Sequence, residues 1–325
     1  MKELIFIDRN SSRWKEFESV IQSKVSVSPD KISDLFIQLT DDLAYARTYY
    51  PDRPVTSYLN NLTISVHHRI YQNKKVKKNR LSEFWLIDYP LLLKANMRFI
   101  YYALIIFIIS AIIGVVSAAN DNSFVRLILG DSYVNMTLDN IHKGDPLAVY
   151  KQANPTGMFL GITLNNLYVA FRTVVMGVFL SIGSGYSLFS NGIMVGAFQS
   201  FFFQHGLLKE SILTIYIHGT FELFSIVMAG AAGFMIGSGI LFPGNYKRID
   251  SFKRGVRNGA RILIGIVPIF IVAAFLEGFV TRNTQWPDIV RASIIGLSLL
   301  TIIVYFFIYP QLITKHLITH GTKQN

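Results

Sequence analysis

The sequence has no cysteine, so disulfides, thiolate nucleophiles and cysteine-ligated metals play no part in what the chain does. Several catalytic patterns are missing too. There is no H-E-x-x-H to present a metal from one helix face, and no G-x-x-x-x-G-K-[ST] loop to cradle phosphates, so any ATP-driven step would need a separate subunit. The Gly-Ser-Gly triplets at 183–185 and 237–239 lack a glycine two residues ahead of the serine, unlike a G-x-S nucleophile turn. The opening stretch MKELIFIDRNSSRWKEF meets Asp8 before an apolar h-region develops. A cleavable signal peptide is therefore not expected, and insertion falls to the first internal span.

Acidic residues are scarce beside basic ones: 20 Asp and Glu face 31 Lys and Arg, a formal net charge of +11, while 51% of residues are hydrophobic. Charge and apolar character occupy different places. Residues 1–98 hold 16 of the 31 basic residues, and long apolar runs follow with charges gathered between them. This is the pattern of a soluble domain followed by a membrane domain. The basic run NKKVKKNR, Asn73 to Arg80, could suggest nucleic acid, but it lies shortly before the first span. There, basic residues hold the cytoplasmic side and meet anionic head groups, so no nucleic-acid partner is expected.

The fold class expected is all-α: a polytopic membrane protein with about six transmembrane helices and an N-terminal helical cytoplasmic domain. Residues 1–89 form that domain, since SSRWKEFESVIQ and DKISDLFIQLTDDLAYARTYY place apolar residues three and four apart. Pro51 and Pro54 break the pattern before a helix at about 57–76. Residues 81–99 suit either an amphipathic segment at head-group level or the start of span one. Residues 90–315 form the membrane domain, with spans at about 99–119, 158–181, 186–204, 212–241, 260–280 and 289–310, and 316–325 form a cytoplasmic tail. With both termini inside, 24 of the 31 basic residues fall in cytoplasm, as the positive-inside rule requires. The segment between spans one and two is external, with a helix or two around 133–141.

Ionisable residues at membrane depth are costly, so their positions carry information. Asn165, Asn166 and Arg172 in span two, His218 and Glu222 in span four, and Glu277 near the end of span five converge in the outer half of the bilayer. His218 and Glu222, four apart, share a helix face. Arg172 is the cation expected to pair with a glutamate, with His218 and the asparagines satisfying the remaining donors and acceptors. The cluster reads either as interhelical glue or as a polar path. H-x-x-x-E alone is weak evidence for a metal, and neither a metal nor a cofactor is expected.

The stretches NPTGMFLGITLNNLYVAFRTVVMG, SNGIMVG, HGTFELFSIVMAGAAGFMIG and VPIFIVAAFLEGF, in that order, resemble the membrane domain of the stage II sporulation protein M family. The resemblance picks out Asn165, Asn166, Gly177, Asn191, Gly192, Gly196, His218, Gly219, Glu222, Gly233, Glu277 and Gly278. It implies a multi-pass protein of the bacterial cytoplasmic (inner) membrane. In spore formers it implies a scaffold for peptidoglycan-remodelling enzymes during engulfment. The long N-terminal domain departs from the compact sporulation form. The expectation is thus a non-enzymatic scaffold or anchor whose partners are the lipid bilayer and other membrane or cell-envelope proteins, with a homo-oligomer as a further possibility. The alternative is a transporter or channel subunit with an intramembrane polar relay.

Overall fold

The computed structural model describes residues 2–22, 29–72, 80–150 and 154–321. The chain divides into two compact units, 1–80 and 81–325, so the division falls slightly before the boundary expected from sequence. Most of the basic run at 73–80 lies outside the described residues.

The first unit is built from α1 (Lys2–Gln22), α2 (Pro29–Tyr49) and α3 (Pro54–Gln72). Apolar residues at three- and four-residue spacing give each helix one buried stripe: Trp14 and Phe17, then Leu35, Leu39, Leu43 and Ala46, then Val55, Leu59, Leu62 and Val66. Arg13 donates to both carboxylate oxygens of Asp42, which also accepts from the Trp14 indole at 2.8 Å. Tyr58 donates to Glu18 at 3.0 Å. Partial burial, reinforced by that carboxylate, pushes its phenol up to about 12.

The second unit opens with α4 (Arg80–Glu83) and a π-helical turn at Phe84–Asp88 that runs straight into α5 (Tyr89–Asn120). Residues 81–99 are therefore the start of the first membrane-length helix: Tyr89 is fully buried, and the Trp85 indole reaches the Gly265 carbonyl. Then come α6 (Asn122–Leu129) and α7 (Asp131–His142), which supply the expected helices between spans one and two. Asp121 caps α6 by accepting from Ser123, and those hydrogen bonds hold its carboxyl below the usual range.

The remaining long helices are α8 (Pro155–Val175), α9 (Ile182–Gln204), α10 (Leu208–Leu241), α11 (Arg248–Phe275) and α12 (Asp288–Ile302). Both α11 and α12 continue through π-helical turns, at Leu276–Thr281 and Ile303–Ile308, and α13 (Tyr309–Gly321) follows the second. Among the described residues the secondary structure is helical, with no strand. Among the described residues, five helices are long and apolar enough to cross a membrane: 80–120, 155–178, 208–241, 248–281 and 288–317. The sixth expected span, α9, has the length, about 34 Å for its 23 residues. Its Ser184, Ser187, Ser190, Asn191, Gln199 and Gln204 keep its hydropathy below that of the others.

Residue pairings fix the helix directions. Phe107 and Ser110 of α5 meet Gly192 of α9, and Gln204 donates to the Ala118 carbonyl, so α5 and α9 run parallel. Asn166 meets Glu222, and Gly177, in the 3-10 turn Met176–Val178 that continues α8, meets Gly233, so α8 runs parallel to α10. Gly255 lies on the Met235 carbonyl and Gly259 on that of Ala232, which sets α11 antiparallel to α10. Arg291 reaches Thr214 while Phe306 packs on Phe224 at 4.7 Å, placing α12 parallel to α10. Ser184 donates to the Thr173 carbonyl at 2.6 Å, closing α8 and α9 into a hairpin. Helices α5, α9 and α11 therefore point one way, and α8, α10 and α12 the other.

Helix α10 is the centre, with 20 of its 34 residues buried. At Gly177 an added Cβ would overlap the backbone of Gly233, so only glycine lets these helices approach so closely. At the periphery, α5 exposes Ile105, Ile109, Ile112 and Val116, and α12 with its π-helical continuation exposes Leu297, Leu300 and Val304. Exposed apolar rows of this extent are what a lipid-facing surface requires.

Candidate functional site

Helix α10 carries a polar stripe along its buried face. Ser211, Thr214, His218, Glu222 and Ser225 recur at three- and four-residue spacing, which keeps them on one side of an α-helix. All are buried except Glu222, which is partly buried. A polar row inside an apolar bundle is costly unless it is partnered. Its partners come from four helices. Ser211 donates to Gln199 of α9 at 3.1 Å, and Thr214 accepts from Arg291 of α12 at 3.3 Å. His218 and Glu222 meet the end of α11, and Asn166 of α8 donates its amide to Glu222.

The centre of the stripe is His218, whose side chain is 4% exposed. Its Nδ1 lies 2.9 Å from the Thr281 hydroxyl, and its Nε2 lies 3.9 Å from Oε2 of Glu277. One donor atom each from His218, Glu222 and Glu277 fall within 4.8 Å of one another. Glu277 and Thr281 both belong to the π-helical turn that ends α11. Such turns insert an extra residue and re-aim side chains, and they recur at functional sites. The register is regular: His218 faces Thr281, and four residues further along α10, Glu222 faces Glu277, four residues back on α11. Two i, i+4 pairs on antiparallel helices thus interlock. His218 stands about 15 Å along α10 from its start and Glu222 about 21 Å, well inside the bundle.

The expected constellation is only partly assembled. Asn166, His218, Glu222 and Glu277 converge, whereas Asn165 is exposed on α8. Arg172 is corrected: it is exposed, and it makes none of the described ion pairs with a glutamate. Six residues past Asn166, it sits about 120° around the helix from the asparagine that reaches Glu222. The buried cation near the stripe is Arg291, 7% exposed, which pairs with Asp288; Lys209 reaches the other oxygen of Asp288 at 2.6 Å.

Sequence reasoning therefore missed Arg291, Thr281, Thr214 and Ser211. The stripe has a visible signal, since Ser211, Thr214, His218, Glu222 and Ser225 follow helical spacing, but short hydroxyl side chains are ordinary in apolar runs. Arg291 falls at the outer boundary of the sixth expected span, 289–310, where charge is ordinary. Nothing in the linear pattern reveals that the start of α12 packs on α10 deeply enough to bury it.

Comparison with known proteins agrees with this architecture. Residues 5–72 match a domain of unknown function (DUF8413), which covers the first unit's described helices except the first three residues of α1. No curated protein and no solved structure matches the chain. Residues 103–282, more than half of the 325, match the family described as Stage II sporulation protein M. That stretch runs from α5 to just past the π-helical turn bearing Glu277 and Thr281, and takes in the whole His218 cluster. On that match the chain belongs to the Stage II sporulation protein M family.

Proposed function

We propose that this membrane protein is a non-enzymatic scaffold or anchor of the bacterial cytoplasmic membrane. It crosses that membrane several times with both termini in the cytoplasm, and holds other membrane or cell-envelope proteins in a complex. The observation that carries this reading is the packing of α10. A central helix in backbone contact with α8 and α11 resists the rigid-body rocking that carriers use. The polar stripe also ends at Ser225. Beyond it the same face of α10 carries Ala229, Ala232 and Ile236, all buried, so the polar residues do not continue along this face to the other end. A dead-ended polar row suits a fixed core better than a conduit. The basic residues at 247–261 lie at the α10–α11 loop, together with the start of α5, which favours that end for the cytoplasm.

The test is purification of the full chain from its own membrane at native abundance in mild detergent. The expected outcome is an envelope protein, such as a wall-remodelling enzyme, at fixed stoichiometry, with proteoliposomes of the purified chain dissipating no ion gradient. The polar row from Ser211 to Glu222 favours a second reading, a transporter or channel subunit. A chain that purifies alone and conducts ions, with flux abolished in Glu222→Gln, would replace the scaffold by that reading.

A further inference from the structure

We propose that His218, Glu222 and Glu277 bind one divalent transition-metal ion of the zinc class, joining α10 to the end of α11. Three observations converge on the same few ångströms. First, the donors are the right kind: an imidazole nitrogen and two carboxylate oxygens, all within 4.8 Å of one another. The imidazole selects against magnesium and calcium, which take oxygen sets, and the lack of sulfur disfavours copper(I). The Nε2 to Oε2 separation of 3.9 Å exceeds a hydrogen bond but lies inside twice a zinc bond length of about 2.1 Å. Rotation of the two carboxyl groups closes the rest.

Second, the surroundings orient the donors. The Thr281 hydroxyl engages Nδ1 and turns Nε2 toward the carboxyls, and the Asn166 amide holds one oxygen of Glu222. These are the outer contacts that metal-binding histidines and carboxylates need. One turn further along the stripe, Ser225 is fully buried and its Oγ has no hydrogen-bond partner among the described residues. A hydroxyl there could serve a water on the ion.

Third, the charges balance. Glu222 and Glu277 have no lysine or arginine partner among the described residues. Two carboxylates and a divalent ion form a neutral unit, the form of this cluster least costly to hold in a low-dielectric bundle. A monovalent ion would leave a net negative charge.

The site is independent of whether the chain scaffolds or transports. It is tested on the full-length protein in detergent, stripped with EDTA, passed through a desalting column and titrated with Zn²⁺ alone or Co²⁺ alone. The expected result is one equivalent of zinc by elemental analysis, a rise of several degrees in Tm on reloading, and a visible Co²⁺ ligand-field band. Glu277→Gln should abolish the band, and Thr281→Val should weaken binding about 10–100-fold. Because the stripping and reloading use the unsubstituted protein, the outcome does not depend on how well a variant folds. No zinc retained after loading, with Tm unchanged and no Co²⁺ band, would overturn the proposal and leave the carboxyl pair sharing a proton. Binding that survives in both Glu277→Gln and His218→Ala would also overturn it, by placing the metal elsewhere.

Discussion

Two arginines separate what charge does from where it sits. Arg172 looks decisive in the linear pattern, because it alone lies inside a span within reach of Glu222. On the folded helix it stands on the exposed face of α8, while Asn166 satisfies Glu222. Arg291 looks ordinary in sequence but is buried on Thr214 and paired with Asp288. Replacing Arg172 by Gln is therefore expected to change thermal stability in detergent by no more than about 0.5 kcal/mol, as exposed substitutions do. Arg291→Leu removes the donor to buried Thr214 and should cost about 1–3 kcal/mol, read as a lowered Tm with broadened elution. Equal effects of the two changes would contradict the assignment of Arg291 as the buried cation. At this scale the sequence made His218, Glu222, Glu277 and Asn166 legible, because ionisable and amide groups are conspicuous in apolar runs. It hid Thr281 and Arg291, whose importance arises only from which helices touch.

Helix by helix, legibility followed apolar length. The runs forming α5, α8, α10, α11 and α12 are each apolar enough for hydrocarbon on their own. Helix α9, expected as the span at 186–204, is legible by its length but less apolar. Its serines, glycines and amides spend themselves on neighbours: Gly192 and Gly196 admit α5, and Ser184 binds the Thr173 carbonyl. The π-helical turns are not legible in the sequence, since no spacing marks the extra residue each inserts. Close approach by glycine gives this level its test. Gly177 faces the backbone of Gly233, and backbone yields less readily than a side chain. Gly177→Val should therefore cost about 3 kcal/mol or more and separate α8 from α10. In α8 itself, Gly161 has nothing within 4 Å of an added Cβ. Gly161→Ala should leave stability unchanged or raise it by about 0.5–1 kcal/mol through helix propensity. Differential scanning fluorimetry of the two variants in one detergent would check the contrast, and comparable losses would refute the backbone-contact account.

At the scale of the whole chain, parallel and antiparallel pairings turn helix contacts into a topology. With α5, α9 and α11 pointing one way and α8, α10 and α12 the other, consecutive long helices alternate, and a membrane crossing by each puts α6 and α7 on the side opposite the α10–α11 loop. That loop and the start of α11 carry Lys247, Arg248, Lys253, Arg254, Arg257 and Arg261, with Arg254 stacked 3.7 Å from the Tyr246 ring centre. At the other end Arg126 is offset by Asp131, and Lys209 and Arg291 by Asp288. Unbalanced positive charge thus gathers at one end, which the positive-inside rule assigns to the cytoplasm. Because the chain has no cysteine, single cysteines placed at exposed Asp139, His205 and Asn245 provide clean reporters. A membrane-impermeant maleimide added to intact cells should label Asp139→Cys and His205→Cys, and should reach Asn245→Cys only after permeabilisation. Labelling of Asn245→Cys alone would invert the orientation. Labelling of Asp139→Cys without His205→Cys would mean that α9 does not cross, which would set the parallel packing of α5 and α9 against the topology and remove α9 from the transmembrane bundle.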